Sequence, residues 1–381
     1  MQHSPYTPGR VATEIPGRDA QLTDLTGVLA RVATEQHFAG RIRVDVGPRG
    51  VGKTSLLRRA QHTAEKLGLA TVFVTAGNGV LTAVLNDQIT DQAKSWGGGD
   101  ALRERLNEAK IAFGAPGFLN VELTAGRSVP PEATRAFREL VINFARESLE
   151  HDHAGVAIFI DELQSADVAS LRTIAYAWQE LQSEPRPVPA AMLAAGLSHT
   201  ADVITDAVTH AERFQYRPLR DLDPADSREA LSRPATAKGV SWQTPALQAV
   251  VERSQGYPYF LQLYGDEIWR AADNPDPGAS LTIEHVNQAQ QDVDIDLTEL
   301  YRTRWAKATP KERDILTAMA QSGQRLVARR DIATTLSTET TALSMPRQSL
   351  LDKGIVDAPE HGKLAFTVPG FGEYVLNQNE G

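Results

Sequence analysis

The sequence predicts an α/β fold built on a doubly wound parallel sheet, continued by a helical segment and closed by a helix-and-hairpin tail. Three observations predict it. Apolar, β-rich runs at residues 42–46, 69–74, 156–160, 190–195 and 214–219 alternate with helical patterns, as strands joined by crossover helices do. The run Val156-Ala157-Ile158-Phe159-Ile160 is unbroken, which suits a strand buried on both faces. From Asp223 to about Asp294 the pattern turns all-helical, with prolines at several helix starts.

Taken in order, the residues up to about Thr13 read as a loose arm. Leu22, Leu25, Val28, Leu29 and Val32, three and four apart, predict a first helix. Arg41-Ile42-Arg43-Val44-Asp45-Val46 alternates as a strand, and Ser55-Leu56-Leu57 opens a helix that ends near Gly68. A strand over 69–74 precedes a helix from Val80 to about Trp96, which Gly97-Gly98-Gly99 breaks off. The stretch of about 97–131, with a strand-like Gly117-Phe118-Leu119-Asn120-Val121-Glu122-Leu123, reads as an insertion. Pro130-Pro131-Glu132 starts a helix with Phe137, Leu140, Val141 and Phe144 on one face. Helices over about 165–183 and from His199 to about Ala211 flank the strand at 190–195, and a last strand starts at Phe214.

Helices opening at Asp223, Pro245, Pro258 and Thr282 make up the helical segment. In the tail, Thr309-Pro310-Lys311-Glu312 is a capped helix start. Helices over 329–336 and 338–353 follow, and then a hairpin of 355–357 with 364–368. Three helices and a hairpin predict a winged helix-turn-helix. The expected domains are 1–222, holding the sheet and the insertion at about 97–131, then 223–298 and 299–381.

Between the first strand and its helix lies Gly47-Pro48-Arg49-Gly50-Val51-Gly52-Lys53-Thr54-Ser55, a G-x-x-x-x-G-K-T pattern in strand–loop–helix context. Glycines let successive backbone N–H groups converge on phosphate oxygens, and the helix N-terminus adds partial positive charge. Lys53 suits the β and γ phosphates, and the Thr54 hydroxyl suits Mg²⁺. This is a phosphate-binding P-loop, and ATP or ADP with Mg²⁺ is the expected ligand. Asp161-Glu162, at the end of the most apolar strand, reads as a Walker B pair. Asp161 is expected at the metal, and Glu162 is expected to polarise the attacking water.

Composition bounds the rest. Apolar residues make up 41% of 381 residues and charged residues 23%, ordinary for a globular protein of two or three domains. Cysteine is absent, which excludes disulfides and thiolate metal sites. Met1 to Arg10 lack a signal-peptide core and no apolar stretch is long enough for a bilayer, so a cytoplasmic protein without membrane partners is expected. The net charge of -9 argues against a chain dominated by nucleic-acid binding. Charge is uneven, however: 28 Lys and Arg stand against 39 Asp and Glu through Glu299, and 11 against 9 beyond it.

With both motifs placed, the order of parts resembles the AAA+ ATPases, in particular their origin-recognition and initiator-like branch. That resemblance implies an α/β nucleotide domain, a helical lid and a C-terminal winged helix. It implies that Ile15 and Arg18, around Pro16-Gly17, lie by the adenine, and that Ser198, with His199, is the sensor of the γ-phosphate. It also implies that Arg213 is an arginine finger reaching a neighbouring subunit of a head-to-tail oligomer. The lid departs from the pattern. Tyr259 follows Pro258 where many AAA+ proteins carry an arginine, and Gly256-Tyr257-Pro258 is similar to the STAND signalling ATPases, whose lid proline approaches the nucleotide.

A winged helix implies duplex DNA as partner, through Thr341, Ser344, Arg347 and Gln348 on the third helix, with Arg329 and Arg330 meeting phosphates. The expected function is Mg²⁺-dependent ATP hydrolysis that couples nucleotide state to assembly and DNA engagement. A STAND-like switch with a protein partner, and a DNA-binding regulator with structural nucleotide, are the alternatives.

Overall fold

The computed structural model describes residues 2–12, 14–96, 131–208 and 211–378. The expected insertion, except Pro131, and the glycine triplet at 97–99 lie outside the described residues. The chain forms two compact units, one of Asp19–Val46 and Lys53–Pro218, the other of Met1–Arg18, Gly47–Gly52 and Leu219–Gly381. Each has its own apolar core.

The first unit holds a five-stranded sheet in the order β2-β3-β4-β1-β5, with every strand pair parallel. Its strands are β1 (Ile42–Val46), β2 (Ala70–Thr75), β3 (Val156–Asp161), β4 (Ala190–Gly196) and β5 (Phe214–Pro218). Helices α1 (Asp19–Glu35), α2 (Lys53–Lys66), α3 (Leu81–Ser95), α4 (Pro131–Glu150), α5 (Val168–Leu181) and α6 (Thr200–Ala207) connect and cover them. Phe137, Phe144 and Trp178 fill the space over the sheet. The register places Thr75 beside Asp161 and Val46 beside Gly196, so these carboxyl ends share one edge.

Two helices differ from expectation. The one anticipated over 165–183 begins as a single 3-10 turn, Leu163–Ser165. The α-helix then restarts at Val168, where the Asp167 carboxylate accepts from the Ser170 N–H at 2.8 Å. The one anticipated to reach Ala211 stops at Ala207, because Arg172 donates to the Ala207 carbonyl at 2.6 Å and Val208 is extended.

All of β1 is buried, including Arg43 and Asp45, whose spacing puts them on one face of the strand. They satisfy each other, with Nη2 to Oδ1 at 3.0 Å and Nε to Oδ2 at 3.2 Å, and Asp24 of α1 accepts from Arg43 Nη1 at 2.5 Å. An alternation that reads as half-exposed is therefore a buried ion pair just before the P-loop. Removing one partner strands the other. Arg43→Ala is expected to lower stability by about 3–5 kcal/mol, measured by denaturant unfolding against wild type.

In the second unit the N-terminal arm is anchored, not loose. Tyr6 is buried, its hydroxyl donates to the Leu231 carbonyl at 2.5 Å, and Trp242 Nε1 donates to that hydroxyl at 2.9 Å. Helices α7 (Pro224–Ala237), α8 (Thr244–Ser254), α9 (Pro258–Ala271) and α10 (Ile283–Lys307) follow in order. The segment is not all-helical, since β6 (Ser241–Trp242) and β7 (Ser280–Leu281) pair in parallel.

α10 runs unbroken across residues 298 and 299. No glycine or proline interrupts it before Thr309-Pro310, and Leu297, Leu300, Tyr301 and Trp305 pack on the unit's core. Then come α11 (Pro310–Gln321), opened by a Thr309/Glu312 capping box, and α12 (Arg329–Thr335). A 3-10 turn at Thr340–Leu343 precedes α13 (Ser344–Asp352) where one longer helix was anticipated. The hairpin of β9 (Val356–Asp357) and β10 (Lys363–Phe366) gains a third strand, β8 (Val327–Ala328), and α14 (Phe371–Asn377) ends the described chain.

Candidate nucleotide-binding site

The sheet unit supplies the groups at the carboxyl edge of β3 and β4. Lys53 is the first residue of α2 and is buried, as is Ser55. The Thr54 hydroxyl donates to Asp161 Oδ2 at 2.7 Å, while Asp161 Oδ1 accepts from the Glu162 N–H at 3.0 Å. A hydroxyl and a carboxylate brought together are hard oxygen donors of the kind Mg²⁺ takes. The residues present therefore fit a Mg²⁺-nucleotide.

Glu162 sits in the left-handed region, at φ 53 and ψ 41, a conformation that costs a non-glycine residue about 1–3 kcal/mol. The Gln164 amide reaches back to it, donating to Glu162 Oε2 at 2.5 Å. Gln164 Oε1 accepts from the Leu197 N–H at 3.0 Å, next to Ser198 in the turn that leads to α6. Sequence reasoning missed Gln164, because nothing in its local spacing announces a partner on another strand. Arg213 lies on a 3-10 turn, Ala211–Arg213, that packs against α5 and α6. Its Nε is buried, away from the carboxylate pair in sequence.

The second unit carries the loop Gly47–Gly52, and the peptide chain runs straight on from Gly52 into α2. Gly50 at φ 80 and Gly52 at φ 95 adopt the left-handed backbone that turns a phosphate-binding loop. Arg18 reaches this loop through its backbone: its Nη2 donates to the carbonyls of Val51 at 3.0 Å and Arg220 at 2.5 Å. Burial lowers the Arg18 pKa from its ordinary value, and Asp221 and Asp226 pull against that shift. Ile15 is half-buried, and its carbonyl accepts from the Arg18 N–H at 3.2 Å.

Tyr257, the residue before Pro258, meets the loop. Pro258 opens α9, while the Tyr257 hydroxyl donates to the Arg49 carbonyl at 3.0 Å and lies over Gly50. Burial pushes the Tyr257 phenol up to about 12, so it stays a donor at neutral pH. The Arg49 side chain lies against Gly354, where a methyl group would overlap its Cδ and Nε. Arg304, near the end of α10, donates to the Gly354 carbonyl at 2.9 Å.

In the tail, Arg329 donates to the Ser344 hydroxyl at 2.6 Å and to the Thr340 carbonyl. The Arg330 side chain is 85% exposed. Thr341, Ser344 and Gln348 are exposed, and Gln348 donates to Asp352 at 2.9 Å. Arg347 is half-buried, and Met345 is 84% exposed.

A parallel sheet in this order, with a glycine loop leading from β1 into a helix and an acidic pair at the end of β3, one strand removed from β1, defines a P-loop NTPase. The chain is an ATPase of that class. Residues 14–193 match the family model described as AAA ATPase domain, and residues 298–375 match one described as a domain of unknown function (DUF8462). No curated protein matches the chain. Among solved structures it is similar to a Walker-type ATPase of Pyrococcus abyssi, 17% identical, with 93% of this chain and 95% of that one covered and a TM-score of 0.54. At that identity the likeness is one of fold. A RuvB variant of Thermotoga maritima matches at 16% identity, covering 92% of this chain and 93% of that one, with a TM-score of 0.49. The Orc1 protein of Aeropyrum pernix, in complex with DNA, matches at 19% identity over 98% and 95%, with a TM-score of 0.44. Among the described residues no helix is long and apolar enough to cross a membrane.

Proposed function

We propose that the chain is a Mg²⁺-dependent ATPase of AAA+ type whose nucleotide state is passed to its C-terminal segment, which engages a partner. One observation carries the coupling. Arg49, inside the P-loop, is held at its carbonyl by Tyr257 of the lid and at its side chain by Gly354 of the tail. A P-loop that rearranges around phosphate shifts Arg49, and both neighbours feel it. In this reading 1–222 is the nucleotide domain, 223–298 the lid and 299–381 a winged helix, with α10 as a rigid strut across the last boundary. Gly256-Tyr257-Pro258, with Pro258 approaching the nucleotide and Tyr259 in place of an arginine, is the STAND-like feature, on an initiator-like order of parts.

The roles follow from placement. Backbone N–H groups of the loop and Lys53 hold the phosphates, with Ser55 in the first turn behind them. Thr54 and Asp161 hold Mg²⁺, which when bound neutralises charge on the transferring phosphoryl group. Glu162 orients water and takes its proton, and Ser198 reads the γ-phosphate. Ile15 and Arg18 shape the loop's flank, and Arg213 serves as the finger to a neighbouring copy.

Duplex DNA is the first partner, because α12, the 3-10 turn and α13 follow the order of a helix-turn-helix with a three-stranded wing beside it. Arg347→Ala is then expected to weaken DNA binding and relax sequence preference. Arg330→Ala, which removes a phosphate contact, is expected to weaken binding evenly and reduce the salt slope by about 1. Fluorescence anisotropy of the full chain with labelled duplex, at several salt concentrations and with ATP or ADP, measures both. A specific observation favours a second reading, a protein partner. Arg329 is engaged within the tail and the exposed face of α13 presents Met345, so absence of DNA binding at low salt with ATP selects that reading.

A further inference from the structure

The Gln164 side chain links Glu162 to Leu197, the residue that follows β4. Its amide donates to the Glu162 carboxylate at 2.5 Å and accepts from the Leu197 N–H at 3.0 Å. Of the side chains that fit there, an amide does both at once. A carboxylate has no proton to give Glu162, and an apolar group leaves the Leu197 N–H without its acceptor. The Glu162 backbone is held in the left-handed region between the Asp161 carboxylate below it and the 3-10 turn above it, where its carbonyl accepts from the Ser165 N–H at 2.8 Å. One end of the glutamate is thus fixed by the main chain, and the other is fixed by Gln164.

The turn at the far end is itself tied down. The Leu197 carbonyl accepts from the Thr200 N–H at 2.9 Å and from the Thr200 hydroxyl at 2.5 Å. Ser198 stands between these two residues. Gly196 precedes them, and a side chain there would crowd both Thr200 and Gln164.

We infer that Gln164 is a positioning residue that fixes the Glu162 carboxylate to the β4–α6 turn, so that Glu162 and Ser198 move as one unit. Aim of the carboxylate then follows the turn that carries Ser198. This rests on the proposed reading of Glu162 as the group that orients water. Gln164 does not touch the reacting atoms, so its loss changes turnover and not nucleotide affinity.

The test is a double-mutant cycle in the full chain, reading kcat and the dissociation constant for Mg²⁺-ATP. Gln164→Met keeps the volume and loses both hydrogen bonds. Gln164→Glu keeps the volume and the acceptor for Leu197 and loses the donor to Glu162, so it serves if the Met variant fails to fold. Either variant is expected to lower kcat about tenfold to a hundredfold, in the range that a misplaced catalytic group costs, with ATP affinity within about twofold of wild type. In a Glu162→Gln background the same substitution is expected to change the residual rate less than about twofold, since a residue acting through another adds nothing once that one is gone. Equal loss in both backgrounds, or wild-type kcat in folded Gln164 variants beside an inactive Glu162→Gln, overturns the inference alone. Normal turnover in Glu162→Gln itself removes the reading beneath it, and the inference with it.

Discussion

Lys53→Ala is expected to weaken ATP binding by about tenfold to a hundredfold or more, while the protein remains folded. Lys53 is the first residue of α2, immediately after Gly52, and a helix N-terminus carries the partial positive charge that favours phosphate. Backbone donors and a helix dipole alone carry only part of the charge of a triphosphate. A point cation at the β and γ phosphates supplies the rest, and a hydrogen bond to a charged group contributes about 1.5–3 kcal/mol. The α2 face that holds this helix on the sheet is made by Leu56, Leu57, Ala60 and Ala64, none of which the substitution touches. Calorimetric titration with Mg²⁺-ATP, with circular dichroism as the folding control, measures both halves of the expectation. Nucleotide affinity near wild type would remove Lys53 from the phosphate site.

Glu162→Gln is expected to bind Mg²⁺-ATP as wild type does and to lose about a hundredfold to ten-thousandfold in kcat, the range for loss of a general base. The amide is isosteric but accepts no proton. Asp161→Asn has a different expected effect. Its Oδ2 meets the Thr54 hydroxyl, so weakening that oxygen lowers Mg²⁺-dependent affinity before it lowers turnover. Comparing the two variants at saturating ATP and across a magnesium titration separates base from ligand. Equal effects of both on affinity would assign the pair to metal binding alone.

The P-loop was legible because its chemistry is local: glycines, lysine and threonine at fixed spacing, bounded by a strand and a helix. The place of Asp161 and Glu162 at the end of a buried strand was legible for a similar reason, since they close an unbroken apolar run. The parallel sheet followed from the alternation of strands and helices. What stayed hidden depends on residues far apart in the chain. Tyr257 reads as the residue before a lid proline, and only folding brings its hydroxyl to the Arg49 carbonyl. Gly354 reads as a helix stop, and its second task, making room for Arg49, appears only in three dimensions. Tyr6 looked like part of a loose arm, because its acceptor lies on α7. Arg43 and Asp45 read only as the polar positions of an alternating strand, and the pairing between them is invisible in a one-dimensional pattern. The long α10 was read as ending near Asp294, although no breaker stands there.

The central claim is that nucleotide state reaches the C-terminal segment through Arg49. The most direct measurement is steady-state hydrolysis of Mg²⁺-ATP, with nucleotide affinity, in Gly354→Ala and Tyr257→Phe beside wild type. Gly354→Ala pushes on the Arg49 side chain and adds a strained left-handed alanine, whereas Tyr257→Phe removes only the hydrogen bond to the Arg49 carbonyl. Each substitution lies outside the phosphate-binding residues. The account predicts that both shift ATP against ADP affinity by several fold and change turnover, with the protein still folded. Affinities and rates identical to wild type in both variants would contradict it.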